Sequence, residues 1–424
     1  MKVTVHWFRR DLRLDDNTAL THALRSGYPV QAVFIFDDRI LEGLPDDDPR
    51  VSFIYGCLED IHRQLHKHGG ALHVVRGRPE EVWAALLNTY EIAGVYFNKD
   101  YEPYALQRDR QVTDILKQRG IGVHTFKDQV IFEENEVIKS DGSPYKIFTA
   151  YKNKWLEQFM HHDIGCDSAP PNYNRLQLNF PGREEVGLKK SNVHVAACDI
   201  DGLLDYAALR DFPSRHVTSR LGPHLRFGTV SIRWLVARVR NISEVFLSEL
   251  IWREFFMQIL FHFPHVVHSC FNAQYDRVKW RNNETEFEKW CEGKTGYPLV
   301  DAGMRELNET GYMHNRVRMV TAGFLCKHLL VDWRWGEAYF ARKLLDYELA
   351  SNNGNWQWAA GTGCDAAPYF RVFNPETQQK KFDKDLLYIK RWLPEFETPE
   401  YPKPIVEHTS ARARVMDAFA LTRQ

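Results

Sequence analysis

The chain has 424 residues, which at roughly 100–200 residues per domain implies two or three domains and a core large enough to need no staples. Apolar residues make up 44% and charged residues 26%, and 55 Lys and Arg nearly cancel 56 Asp and Glu, so disorder, collagen-like repeats and a surface coated in positive charge are excluded. Seven cysteines, at 57, 166, 198, 270, 291, 326 and 364, lack C-x-x-C or paired His-Cys spacing, so neither a disulfide framework nor a metal site is expected.

Val3–Phe8 reads as a strand, with no basic leader and apolar stretch of a signal peptide. No segment reaches the roughly 18 apolar residues of a membrane span, and a soluble cytoplasmic monomer is expected. Strand-like runs at 3–8, 30–37, 72–76, 94–98 and 122–126 alternate with helical patterns such as Val51–His68 and Glu80–Glu91, which predicts βαβ units and a parallel sheet. Asp15-Asp16-Asn17 supplies an N-cap for a helix after the first strand. No G-x-G-x-x-G or Walker loop is present, so a dinucleotide on the first βα turn has no support.

From about 160 to 204, polar and proline-rich residues beginning near Asp167-Ser168-Ala169-Pro170-Pro171 read as a long surface connection. Beyond it, helical patterns at 232–239, 245–263, 300–308, 315–330 and 335–349 predict an all-α half. The expected fold is therefore a Rossmann-like α/β domain (1–130), a connection (131–204) and a helical domain (205–424).

The helical half concentrates the chemistry. Thr218-Ser219-Arg220-Leu221-Gly222-Pro223 offers hydroxyls, backbone N–H groups and an arginine, either as a phosphate cradle or as an N-capped helix with a surface Arg. Glu249, Trp252, Arg253 and Phe256 share one helix face, suited to a flat heterocycle or to an i,i+4 salt bridge beside a core Trp. Asn315 and Met319 repeat that spacing, as pocket residues or as a helix start with Met filler. Two carboxylates, Asp346 and Glu348, then Asn352, Asn353, Trp356 and Trp358 crowd a segment expected to be broken at Gly354, which points to a site. His262, His265 and His268 lack a completing carboxylate or Cys.

These residues, together with Trp7–Arg13, Glu292-Gly293-Lys294-Thr295-Gly296-Tyr297-Pro298, Met313–Met319 and Asn352–Arg371, resemble the photolyase and cryptochrome family of flavoproteins, most closely its class I cyclobutane pyrimidine dimer photolyases. The resemblance implies a light-dependent lyase that splits dimers in UV-damaged DNA by an electron from excited, reduced FAD, acting on a flipped-out dimer. It implies that Tyr206, Thr218, Ser219 and Leu221 hold the phosphates and ribityl chain. Arg253, Arg318, Asp346, Glu348 and Asn352 would surround the flavin, with Asn352 at N5, and Arg220, Gly222, Phe246, Glu249 and Tyr347 also count as cofactor-binding. Trp252 and Trp358 would clamp the dimer, with Glu249 and Asn315 on its base edges and Met319 beside it. Trp356, Trp333 and Trp280 match an electron-transfer chain, while Trp335 and Phe246 depart from the closest patterns.

DNA contacts by the same resemblance are Arg210, Trp252, Arg253, Asn315, Arg316, Trp358, Arg371 and Gln378, supported by Lys380 and Lys381. Arg50, Asp100 and Glu102 sit where relatives contact an antenna pigment, which could be a deazaflavin, a folate or a second flavin. A cryptochrome photoreceptor and a (6-4) or DASH-type photolyase are the alternatives. Asn352, both clamp tryptophans, Asn315, Met319 and the lack of an appended polar tail argue for dimer repair.

Overall fold

The computed structural model describes every residue except 166, 167, 216 and 424, so Cys166 and Asp167 of the sequence expectations lie outside the described residues. Five strands, β1 (Val3–Phe8), β2 (Val30–Asp37), β3 (Leu72–Gly77), β4 (Ile92–Asn98) and β5 (Gly122–Phe126), form one sheet in the order β3-β2-β1-β4-β5. Every pairing is parallel. β1 and β2 are buried along their whole length, as apolar runs covered on both faces by crossover helices require. Those helices are α1 (Thr18–Leu24), α2 (Pro49–His66), α3 (Pro79–Thr89) and α4 (Pro103–Gln118). Asn17 caps α1, its Oδ1 accepting the Leu20 N–H at 3.1 Å. Trp7 packs edge-on against Trp83 and Phe97, which places two tryptophans in the core.

The remainder is helical: α5 (Phe148–Phe159), α6 (Gly222–Phe227), α7 (Ile232–Val239), α8 (Glu244–His262), α9 (Glu284–Glu292), α10 (Pro298–Thr310), α11 (Asn315–Gly323), α12 (Trp333–Lys343), α13 (Leu349–Ala360), α14 (Pro375–Phe382), α15 (Leu387–Trp392) and α16 (His408–Ala420). Three expectations are corrected. The helix expected over 315–330 is α11 followed by wider π turns over Phe324–Leu329, stopped by a left-handed Leu330. The helix expected over 335–349 ends at Lys343, and Leu345 then bonds its N–H to the Gly311 carbonyl. The segment expected to break at Gly354 is the continuous helix α13, because that glycine serves close packing.

The residues group into two compact units that interleave along the chain. One comprises 1–133, 158–198 and 220–240; the other comprises 134–157, 199–219 and 241–424. The stretch at 160–204 is more than a surface wrap. Val186 and Leu188 are buried in the first unit's core with Leu58, Leu72 and Phe227, and Tyr173 pairs with Val30 at the sheet. Apolar anchors spaced so irregularly carry no period for a sequence reading to detect. In the same unit Arg233 of α7 pairs with Asp16 and Asp128.

Candidate active site

In the second unit α13 is packed by α8, α11 and α12. Two glycines permit the approach. A Cβ on Gly354 would fall 2.1 Å from Cδ1 of Phe256 on α8, and one on Gly336 would fall 2.1 Å from the Trp356 ring, so α12 lies directly against that indole.

α8 is apolar on almost every side, capped by Ser243 on the Phe246 N–H. Its buried Glu254 accepts from Trp155 Nε1 at 2.6 Å and Tyr151 Oη at 3.3 Å, tying α5 to it. Glu249, Trp252 and Arg253 remain half-buried. Of the two readings of this face, the i,i+4 pair is not what forms. Glu249 bonds Arg210 at 2.5 Å, while Arg253 reaches Glu348 at 3.1 Å. Trp252 stacks on Phe148 with centroids 3.6 Å apart and planes at 10°, beside Phe256. Phe148, far upstream on α5, carries no motif by which a sequence reading finds it. Tyr206 lies edge-on to Phe246 and under the Arg210 guanidinium, and burial pushes its phenol up.

Arg318 grips Asp346 through both guanidinium nitrogens, at 3.2 and 2.9 Å, and donates Nε to the Met313 carbonyl. Burial opposes the charge on Arg318, but Asp346 outweighs it and raises the pKa. Asn352 Nδ2 donates to the Glu337 carbonyl at 3.1 Å and to its carboxylate at 2.8 Å. A backbone carbonyl only accepts, so this contact fixes which way the amide faces. Burial pushes the Glu337 carboxyl up, and the Asn352 bond pulls it back in part. Sequence reasoning missed Glu337; the only signal is its place one turn beyond Trp333 on the same helix.

The neighbouring amides serve the scaffold instead. Asn353 and Gln357 both donate to the Val266 carbonyl, and the Phe271 N–H donates to Gln357. Crowding of amides here is therefore partly packing. The motif at 292–298 is likewise structural: the Asp301 carboxylate gathers the Thr295 and Gly296 N–H groups and the Thr295 and Tyr401 hydroxyls.

Trp356 and Trp333 are buried at 2% and 1% exposure, and Trp280 is half-buried against Phe419 of α16. Trp358 is half-buried against the same core. Asn315 is exposed on the first turn of α11, and Met319 is half-buried on the next. Leu221 at the head of α6 has no side chain to cap it, so the N-capped alternative does not form, and Arg220 before it is left-handed at φ 53°. Thr218 Oγ1 lies 3.3 Å from the Tyr312 hydroxyl, and Ser219 is buried.

Among the DNA candidates, Arg316 is bonded to Asp211 at 2.7 Å and covers Phe382. Arg371, Lys380 and Lys381 are exposed, Gln378 is half-buried, and Phe370 beside Arg371 projects at 55% exposure. The three antenna candidates all sit in ion pairs of the first unit: Arg50 with Asp48, Asp100 with Arg10, and Glu102 with Arg10 and Arg226.

The donor set fits FAD. Hydroxyls at 218 and 219 and the guanidinium of Arg318 match phosphate and carbonyl oxygens, and Asn352, with its nitrogen spent on Glu337, offers a carbonyl acceptor. Two family models match the chain: DNA photolyase over residues 4–172 and the FAD binding domain of DNA photolyase over 246–400. The deoxyribodipyrimidine photo-lyase of Halobacterium salinarum is 36% identical over 98% of both chains. The crystal structure of an archaeal photolyase from Sulfolobus tokodaii with two FAD molecules is similar at 36% identity and a TM-score of 0.88, covering 99% of this chain and 100% of that one. A Synechocystis cryptochrome, at 27% identity and a TM-score of 0.86 over 99% of each, is more distant. With relatives matched from end to end and both family models on the two halves, the chain belongs to the DNA photolyase family.

Proposed function

We propose that this protein is a light-dependent DNA repair enzyme, a deoxyribodipyrimidine photo-lyase that holds FAD and splits cyclobutane pyrimidine dimers. The observation that carries the reading is the polarity of Asn352, whose carbonyl oxygen is left for a ligand once its nitrogen is fixed on Glu337. An acceptor at that point suits the N5–H edge of a reduced flavin. When bound, reduced and excited by light, FAD supplies the electron that opens the two interbase bonds, and the electron then returns without net redox change.

The chain's own residues bind, orient and exclude water. Thr218 and Ser219 hold phosphate oxygens, while Arg318 with Asp346 and Arg253 with Glu348 present paired charges whose orientation is already set. Trp252, backed by Phe148, and Trp358 clamp the flipped dimer, with Met319 alongside. Stacking at about 1–3 kcal/mol per base repays the few kcal/mol spent on flipping. Glu249 and Arg210, which satisfy each other in this structure, separate on binding, the carboxyl to a pyrimidine edge with Asn315 and the guanidinium to a phosphate. Arg316, Arg371 and Gln378 extend the phosphate contacts. Trp356, Trp333 and Trp280 carry oxidising charge outward during photoreduction.

The first unit, which carries the α/β sheet of the expected 1–130 domain, is read as an antenna domain, and the second, which carries 205–219 and 241–424 of the expected helical domain, as the catalytic domain. Arg50, Asp100 and Glu102 are the proposed antenna contacts, and the mass of pigment released from native protein identifies the chromophore. Among the described residues no helix is long and apolar enough to cross a membrane; we read the protein as a cytoplasmic monomer. The deciding experiment is blue-light repair of dimer-containing oligothymidine by flavin-loaded, pre-reduced protein. Full restoration is expected; dimers left intact while the protein changes conformation would overturn the enzyme reading.

A further inference from the structure

We propose a second exit for oxidising charge from Trp356, running through Trp290 to Trp335 and separate from the Trp333–Trp280 file; it rests on the reading of Trp356 as the first donor. Two tryptophans that the motif assignments leave without a role make this path. The Trp290 centroid lies 6.1 Å from that of Trp356 at 73°, an edge contact, and Phe340 touches both rings. Trp290 also stacks on Phe287 at 5.8 Å and 18°, and Phe287 meets Trp335 edge-on at 5.2 Å. The ring contacts are therefore continuous from a buried indole to a half-buried one.

The hydrogen bonding sets where the charge can stop. Trp290 is fully buried and its Nε1–H donates to the Thr321 carbonyl at 3.1 Å. A carbonyl is no base, so oxidised Trp290 keeps its proton and passes the charge on. Trp335 is half-buried, and there an indole N–H can release its proton to water and trap the charge. Tyr339, 5.8 Å from Trp290, is a poor terminus: its hydroxyl donates to Asn308 and the Cys291 carbonyl, burial pushes its pKa to about 12, and Arg342 and Lys343 lie within 6 Å of its ring.

The balance is one electron from Trp356 to the photoexcited oxidised cofactor, one from Trp290 to Trp356, and one from Trp335 to Trp290. Trp335 then loses its Nε1 proton to water. A low-molecular-weight thiol returns the electron and the proton to the neutral Trp335 radical.

The test is flash excitation of FAD-loaded, oxidised holoprotein, read by pulsed EPR for the position of the long-lived tryptophan radical. Trp333→Phe should retain that radical, now at the distance of Trp335, and Trp333→Phe/Trp335→Phe should lose it. Trp335 is half-buried, so its Phe variant is expected to fold, and retained FAD and circular dichroism check this. Loss of the radical in Trp333→Phe alone, or its survival in the double variant, would overturn the second exit. Survival in Trp356→Phe would instead overturn the reading of the first donor.

Discussion

Substituting Gly354 by alanine tests whether α13 is pressed onto α8 as closely as the site needs. In an exposed helix interior this change stabilises by about 1 kcal/mol. Here the new Cβ would sit 2.1 Å from Cδ1 and 2.4 Å from Cε1 of Phe256, where ordinary contact begins at 3.4 Å, so the helices must part by over an ångström or the ring must turn. Phe256 is 4% exposed, with Trp252 at 5.4 Å and Phe255 at 5.9 Å, and has no space to turn into. Overpacking of this kind costs about 1–3 kcal/mol, which exceeds the propensity gain and leaves Gly354→Ala less stable by up to about 2 kcal/mol. Urea denaturation measures this, and Phe256→Leu in the Gly354→Ala background should recover much of the loss. A Gly354→Ala protein that is more stable than the parent would refute the close packing.

Three further outcomes are expected. Burial lowers the pKa of His6 to about 4 and of His328 to about 3, so the folded chain binds fewer protons than the unfolded one below about pH 6.5. Stability should therefore fall from pH 6.5 toward 4 by up to about 1.4 kcal/mol per pH unit for each histidine, and His6→Asn should flatten the slope seen in urea melts. Asp128, buried yet held below the usual carboxylate range by Arg13 and Arg233, is expected to cost about 3–5 kcal/mol when changed to Asn; thermal unfolding with a loss under about 1 kcal/mol would contradict this. Glu337→Leu removes the carboxylate acceptor of the Asn352 amide nitrogen and leaves it only the longer bond to the residue 337 carbonyl, so the amide is held less firmly, and FAD affinity measured by fluorescence titration should drop several-fold, equivalent to about 1 kcal/mol.

The sheet was legible because β-branched runs such as Val30–Asp37 are bounded by turns and have the length of buried strands. Helix ends were less so: nothing local distinguishes α11 from the π turns that follow it, or announces that Leu344–Glu348 must leave the helix to bring Asp346 to Arg318. Gly354 misled for a definite reason. Propensity marks glycine as a breaker, whereas here it is the space for a ring on another helix. The i,i+4 rule grouped Glu249 with Arg253 correctly by face, but their partners came from Arg210 and Glu348, at separations no local rule covers. The same limit hid Phe148 and Glu337, whose roles exist only through a neighbour on another element.

The interleaving of the first unit bears on how the chain emerges from the ribosome. Leu12 bonds the Phe227 carbonyl, Asp16 waits for Ser231 and Arg233, and Asp128 is separated from Arg233 by 105 positions. At about 5–20 residues per second, Asp128 precedes Arg233 by roughly 5–20 s. All five strands are already synthesised when that interval begins, the segment that seals them is still to come, and residues of the other unit emerge in between. Nascent α/β sheet must therefore persist unsealed, exposed to chaperones and to pairing with other chains, until residue 240 leaves the exit tunnel.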